Sequence, residues 1–129
     1  MIRTAIAVVD DMFFISKIRE TGKALGMVVN FPGNLDALRA TIAEDVPELI
    51  LVDLHHRKLD AIQLASELKA NETLRGVALL GFFSHVQVDL QRQAAQAGYD
   101  TVLPRSIFFR DLAKILAGET KAGETTGGL

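Results

Sequence analysis

Three carboxylates follow two apolar runs of the sequence, and they are the residues best placed to do chemistry. Asp10 and Asp11 come directly after the apolar run 5–9, and Asp53 closes the run 50–53. Neighbouring carboxylates repel one another unless a proton or a cation lies between them. Mg²⁺ is a natural partner because it binds one or two carboxylates together with carbonyl oxygens and waters. A remaining carboxylate can then attack a phosphoryl group whose charge the metal neutralises.

Five short apolar runs recur at fairly even spacing and are typical of buried strands. They are rich in Val, Ile, Leu and Phe, and they are nearly continuous instead of alternating, as expected for strands covered on both faces of a parallel sheet. The runs are 5–9, 27–31, 49–54, 77–83 and 101–103. The segments between them carry helical periodicity, so five helices are predicted to follow five strands.

Residues at the ends of the predicted helices agree with this alternation. Asn34 and Asp60 are placed to cap the second and third helices, and Gly26 and Gly98 lie where the first and fourth helices should end. We therefore predict an α/β fold, a (βα)5 doubly wound sheet of five parallel strands in the order 2-1-3-4-5, with helices on both faces. Ligand sites in such sheets lie at the carboxyl ends of the strands, at the switch point between strands 1 and 3.

The three aspartates also have a purely structural interpretation. An Asp at the end of a strand often accepts backbone N–H groups at the start of the following helix. Capping accounts for any one of the three by itself. Their joint occurrence after the two strands that flank the predicted switch point favours a site.

Length and composition narrow the function. A chain of 129 residues fits one domain, predicted over residues 1–117, and the polar, glycine-rich residues 118–129 are predicted to be a flexible tail. The 14 Lys and Arg against 16 Asp and Glu leave no basic excess for direct binding to nucleic acid or to an anionic membrane. The apolar runs are too short to span a bilayer. The absence of cysteine excludes disulfides and thiolate chemistry and is consistent with a cytoplasmic location.

Over roughly residues 3 to 117, the chain resembles the receiver domain of two-component response regulators. The resemblance implies a flavodoxin-like three-layer sandwich and assigns roles to the acidic residues. Asp53 would accept a phosphoryl group from a partner protein and would also be a Mg²⁺ ligand. Asp10 and Asp11 would bind the same Mg²⁺, and His55, two residues beyond the acceptor, would lend its backbone carbonyl to the metal.

The resemblance weakens at two positions that the family uses to read phosphorylation. The family places Thr or Ser at the end of the fourth strand, where this chain has Phe83, so that Ser84, one residue later, is the candidate switch hydroxyl. The family also places a Lys-Pro pair after the fifth strand, where this chain has Arg105 and Ser106. Arg105 keeps the positive charge and is expected to contact phosphate in place of the lysine, although its planar, longer side chain is not equivalent.

Histidines follow the third and fourth predicted strands. Imidazole is the commonest metal ligand, so His55, His56 and His85 invite a metal interpretation. Adjacent histidines rarely converge on one ion, and the chain has no cysteine and no further histidine to complete a closed shell. We interpret these three as solvated loop residues.

Two hypotheses follow from the resemblance. The first is a single-domain response regulator that accepts a phosphoryl group on Asp53 in a Mg²⁺-dependent phosphorelay, from a sensor histidine kinase or phosphotransfer protein, and signals through a downstream protein target. The second is an atypical pseudo-receiver that acts as a phosphorylation-independent protein-interaction module, which Phe83 and Arg105 favour. In both cases we expect no enzyme activity, and a weak homodimer is compatible with the resemblance.

Two alternatives from other classes fit the motifs less well. Asp53 and His55 faintly resemble the start of a cobalamin-binding motif, but that motif follows the first strand of its fold and needs a glycine where Lys58 stands. A haloacid dehalogenase phosphatase places an Asp-x-Asp pair after its first strand, and the adjacent pair Asp10 and Asp11 does not match it.

Overall fold

Five parallel strands alternate with helices in the computed structural model, which describes residues 2–84 and 88–118. The elements are β1 (Thr4–Val8), α1 (Met12–Ala24), β2 (Val28–Asn30), α2 (Leu35–Glu44), β3 (Leu49–Asp53), α3 (Ala61–Ala70), β4 (Ala78–Phe83), α4 (Val88–Ala97), β5 (Thr101–Pro104), α5 (Arg105–Arg110) and α6 (Leu112–Ala117). Each predicted strand is present, and no end is displaced by more than one residue, which is within the usual uncertainty of strand ends in a sequence.

The strands form one sheet in the order β2-β1-β3-β4-β5. Every neighbouring pair is parallel, and β3 is paired on both sides, by β1 and by β4. All five residues of β3 are buried, as its continuous apolar run predicted. The predicted α/β fold with strand order 2-1-3-4-5 is therefore confirmed.

Two hydrophobic clusters cover the two faces of the sheet. On one face, Ile6 and Val8 of β1 pack with buried residues of α2, α3 and α4. On the other face, Ala5 and Ala7 pack with buried residues of α1, α5 and α6. Successive side chains of a strand point to opposite faces, so one continuous apolar run supplies both clusters. The result is the predicted three-layer sandwich.

The helix ends lie where the capping residues predicted them. The side chain of Asn34 accepts the backbone N–H of Ala37 at the start of α2, and Asp60 caps α3 in the same way. Gly26 and Gly98 follow α1 and α4 with φ of 73° and 123°. A positive φ at the end of a helix is the conformation for which glycine is suited.

The last predicted helix differs from the prediction, because α5 and α6 are separated by Asp111. This residue has φ −104° and ψ 14°, outside the helical range. Backbone hydrogen bonds nevertheless continue through it, from Asp111 N–H to the Ile107 carbonyl and from Ile115 N–H to the Asp111 carbonyl. The interruption is local and matches the low helix propensity of Asp.

Gly118, with φ 78°, ends α6. It is the first residue of the predicted tail, and residues 119–129 of that tail lie outside the described residues. Among the residues that the structure describes, no helix is long and apolar enough to cross a membrane.

Candidate functional site

The predicted acidic residues meet at the carboxyl edge of the sheet. Asp53 is the last residue of β3, and Asp10 and Asp11 follow β1. Val8 of β1 is in register with Val52 of β3, so the residues that come next emerge side by side. They line a pocket of about 260 Å³, whose walls are Asp10, Asp11, Phe14, Asp53, His55, Arg57, Phe82, Ser84 and Arg105.

All six residues predicted for the site line this pocket. They end or follow four different strands, β1, β3, β4 and β5, and the carboxyl ends of these parallel strands lie at one edge of the sheet. The sequence interpretation did not assign Phe14, Arg57 or Phe82 to the pocket. Arg57 was detectable as a cation close to Asp53 in the sequence, whereas the position of Phe14 depends on how α1 packs.

Asp53 is the most buried of the three carboxylates, with 9% of its surface exposed. The backbone N–H of His55 donates to Oδ1 of Asp53 at 2.9 Å. Burial raises the pKa of Asp53 above its usual value, and this hydrogen bond only partly offsets the effect. The side chain is thus a desolvated carboxylate at the floor of a polar pocket.

Asp10 is already paired with a cation. Its Oδ2 lies 3.1 Å from Nε of Arg57, and the Arg57 backbone N–H donates to the same oxygen at 3.4 Å. Partial burial raises the pKa of Asp10, but these hydrogen bonds and the Arg57 charge outweigh it and hold the pKa below its usual value. The Arg57 side chain is 83% exposed, so it reaches Asp10 from the solvent side.

Asp11 caps α1 and lines the pocket at the same time. Its Oδ1 accepts the backbone N–H groups of Phe13 at 2.9 Å and Phe14 at 3.2 Å. The capping interpretation therefore holds for this residue. It does not account for Asp10 or Asp53, whose carboxylates have the different partners described above.

Oxygen donors of the kind that Mg²⁺ prefers are present. Asp10, Asp11 and Asp53 offer carboxylates, and one or two of these with a carbonyl and waters are sufficient for this ion. Within residues 2–84 and 88–118, no three His, Asp or Glu side chains are already gathered at ligand distance. The donor set fits the ion, and a cation bound at Asp10 would share that carboxylate with Arg57.

The interpretation of the histidines as solvated was wrong for His56, which is only 8% exposed. Its Nδ1 accepts the backbone N–H groups of Lys58 at 3.1 Å and Leu59 at 3.2 Å. These two hydrogen bonds hold the loop after β3 around the imidazole, and the loop covers the ring. His55 is partly exposed, and His85 lies outside the described residues.

Phe83 and Ser84 have separate places. Phe83 ends β4, pairs with Pro104 of β5 and is buried in the core, so it presents no polar group to the pocket. Ser84, the next residue, lines the pocket. The serine that lies one residue after the family's Thr or Ser position is therefore at the pocket wall.

Arg105 begins α5 and also lines the pocket. Its guanidinium carbon lies 5.0 Å from the centroid of the Phe14 ring. This distance is within the range of a cation–π contact.

A larger cavity, about 670 Å³, lies at the opposite, amino edge of the sheet. Its charged side chains already have partners: Arg3 is paired with Glu48, and Asp100 is paired with Lys69. The smaller pocket contains the buried carboxylate of Asp53 together with exposed charged side chains such as Arg57. This combination makes the smaller pocket the candidate site.

No family model and no curated protein sequence matches the chain. Solved structures do. The chemotaxis response regulator CheY4 of Vibrio cholerae matches with a TM-score of 0.79 and 12% identity, over 93% of this chain and 100% of that one. A signal receiver domain from Bermanella marisrubri matches with a TM-score of 0.78 and 19% identity, over 92% and 98% of the two chains. The phosphorylated cyanobacterial phytochrome response regulator RcpA gives 0.75 and 19%, over 92% and 91%. At these identities the likeness shows a shared fold, that of response regulator receiver domains.

Proposed function

We propose that this chain is a response regulator receiver that accepts a phosphoryl group on Asp53. One observation carries the proposal: a largely buried carboxylate ends the central strand and lies in one pocket with two further aspartates and two arginines. A capping or core role does not require this grouping. A phosphoryl acceptor does require it, because the nucleophile must be held among groups that balance the charge of the incoming phosphate.

In the proposed reaction, an oxygen of Asp53 attacks phosphorus. The bond from phosphorus to the donor breaks, and the leaving group takes the electron pair of that bond. Arg105 would contact the phosphoryl oxygens, as a guanidinium binds phosphate through paired N–H donors. Ser84 would donate its hydroxyl to the same group, and its position at the pocket wall supports this role.

A bound Mg²⁺ would supply charge neutralisation of the phosphoryl oxygens. The residues that would hold it are the carboxylates of Asp10, Asp11 and Asp53 and the backbone carbonyl of His55. Asp10 and Asp11 keep one carboxylate oxygen each outside the hydrogen bonds to Arg57 and to the start of α1. These residues are carried over from the receiver resemblance, and the oxygen chemistry of the pocket supports them.

The partners that belong to this function are proteins. The phosphoryl donor would be a sensor histidine kinase or a phosphotransfer protein, and the output would pass to a downstream protein target. The formal net charge of −2 supports this over direct nucleic acid binding. The cytoplasmic location, the weak homodimer and the lack of enzyme activity stay predictions.

A second candidate function is a receiver-like module that acts without phosphorylation. The ion pair of Asp10 with Arg57 favours it, because a metal-binding residue of the family already has a cation partner. The buried Phe83 at the end of β4 favours it as well, since it removes the hydroxyl from the usual position.

Incubation with acetyl phosphate and Mg²⁺, read by intact mass, separates the two functions. We expect a phosphoryl adduct on the wild type and on Asp36→Asn, because Asp36 is an exposed carboxylate that does not line the pocket. We expect none on Asp53→Asn. An absence of adduct on the wild type would contradict the proposal and leave the phosphorylation-independent module, and an adduct that persists in Asp53→Asn would place the acceptor elsewhere.

A further inference from the structure

The guanidinium of Arg105 lies on an aromatic ring and not on a carboxylate. Its central carbon is 5.0 Å from the centroid of Phe14. Asp10, Asp11 and Asp53 line the same pocket, yet none of the ion pairs in the described part of the chain includes Arg105. The aromatic ring is therefore the contact that locates this cation.

Phe14 is itself held from several sides. Its ring centroid lies 4.9 Å from that of Phe109 in α5 and 6.4 Å from that of Phe82 in β4, and the neighbouring Phe13 packs edge-on at 5.8 Å. Phe82 is fully buried and stacks on Phe108 at 4.4 Å. Rings fixed at these distances interlock three elements, so Phe14 is a rigid support at the pocket wall.

A rigid support matters because of the chemistry of arginine. Its long side chain has many rotamers, and this freedom is lost when the guanidinium is held in one place. A guanidinium that lies over a ring is held through its face, and its N–H donors remain available at its edge. An ion pair with a pocket carboxylate would instead use those donors and block the nucleophile.

We infer that Phe14 is a positioning residue that holds Arg105 at the pocket rim, ready for the phosphoryl group on Asp53. The inference rests on the proposed function and adds a residue that the receiver resemblance does not supply. Phe14 does not touch the reacting atoms, and its effect passes through Arg105.

A double-mutant cycle tests this coupling. Rates of phosphoryl adduct formation on Asp53 are measured by intact mass with acetyl phosphate and Mg²⁺ for the wild type, Phe14→Leu, Arg105→Met and the double variant. We expect Phe14→Leu to slow the reaction about two- to fivefold, the equivalent of an exposed cation–π contact. In the Arg105→Met background the same substitution should have no further effect. Phe14→Tyr keeps the aromatic face and should restore the wild-type rate.

The matched control is Phe31→Leu. Phe31 makes an equivalent contact elsewhere in the molecule, with the Arg19 guanidinium carbon 4.9 Å from its ring centroid. Its loss should leave the adduct rate unchanged. Phe14→Met, which keeps side-chain volume without a ring face, takes the place of Phe14→Leu in the cycle if thermal unfolding shows that the leucine variant does not fold.

Each outcome decides the inference. A wild-type rate in Phe14→Leu, or an equal slowing in the Arg105→Met background, would overturn it and leave the proposed function standing. The absence of any adduct on the wild type would remove the proposed function and the inference with it. Slowing that depends on Arg105 and is reversed by tyrosine supports it.

Discussion

Asp10 and Arg57 illustrate how single residues set the charge balance of the pocket. The Arg57 guanidinium neutralises Asp10 from the solvent side, at an Nε to Oδ2 distance of 3.1 Å. A divalent cation at this carboxylate would compete with the guanidinium for its negative charge, even at the oxygen that Arg57 does not contact. An ion pair with one highly exposed partner contributes only about 0–1 kcal/mol, so the competition is modest and sensitive to salt.

Arg57→Met is therefore expected to raise the affinity for a divalent cation about two- to fivefold at low salt. The affinity can be measured with Mn²⁺ by electron paramagnetic resonance of the free ion. Lys58→Met is the matched control, because Lys58 is the next residue and exposed, and it makes no ion pair within the described ranges. Equal affinities for the two variants would contradict a competition between Arg57 and a divalent cation at Asp10.

Asp53 gives a pH dependence whose sign follows from its burial. Its pKa in the folded protein is raised by burial above the usual 3.8, so the folded state binds this proton more tightly than the unfolded state does. The contribution of Asp53 to stability is thus highest below about pH 3.8. It falls as the pH rises through the folded-state pKa and stays unfavourable above it.

Asp53→Asn keeps an acceptor for the His55 N–H and removes the buried charge. We expect it to melt at a higher temperature than the wild type at pH 7 in a metal-free buffer, with a difference that shrinks as the pH is lowered toward 4. Circular dichroism melts across this range give the comparison, with Asp36→Asn as the exposed control. A lower melting temperature for Asp53→Asn at pH 7 would refute the assigned sign.

At the scale of elements, the connection from α4 to β5 depends on one glycine. Gly98 has φ 123°, and a Cβ atom placed there would lie 2.5 Å from Cγ of Lys69. Lys69 cannot move away freely. Its Nζ donates to the carbonyls of Arg75 and Val77 and is paired with Asp100 at 3.3 Å. Backbone conformation and local packing therefore both require glycine at this position.

Gly98→Ala is expected to lower the free energy of unfolding by about 1–3 kcal/mol, the usual cost of a residue held in a disfavoured backbone region. Urea denaturation measures it. Gly76→Ala is the control, since a Cβ atom at this position would meet no other atom within 4 Å and the φ of Gly76 is not positive. The control should change stability by no more than about 0.5 kcal/mol. Equal losses in the two variants would show that Gly98 has no special role.

At the scale of the whole molecule, the candidate site depends on the two hydrophobic clusters that cover the two faces of the sheet. The strand β3 is buried on both faces, and its last residue, Asp53, emerges between the two clusters. The surrounding apolar residues therefore shield the Asp53 carboxylate from water, and its remaining exposed surface faces the pocket. At the opposite edge, Arg3 pairs with Glu48 and with the carbonyl of Leu116, and Lys69 pairs with Asp100. The carboxylates that line the larger cavity are thus already paired with cations, and neither is as buried as Asp53.

The sequence by itself determined the fold and the acidic floor of the pocket. Apolar runs predict the strands because a strand covered on both faces needs no polar positions, and caps such as Asn34 and Asp60 act on N–H groups two or three residues away. Asp10 and Asp53 could be placed together because parallel strands in this order bring their carboxyl ends to one edge.

Only the tertiary structure decided the partners of these groups. The pairing of Asp10 with Arg57 joins residues 47 positions apart, and the ring of Phe14 meets Arg105 from another element. The burial of His56 arises from a loop that folds back on the imidazole. Capping and strand formation depend on neighbours in the chain, so a sequence carries them directly. The direction of a long side chain across a loop depends on packing between distant elements, so it appears only when the chain is folded.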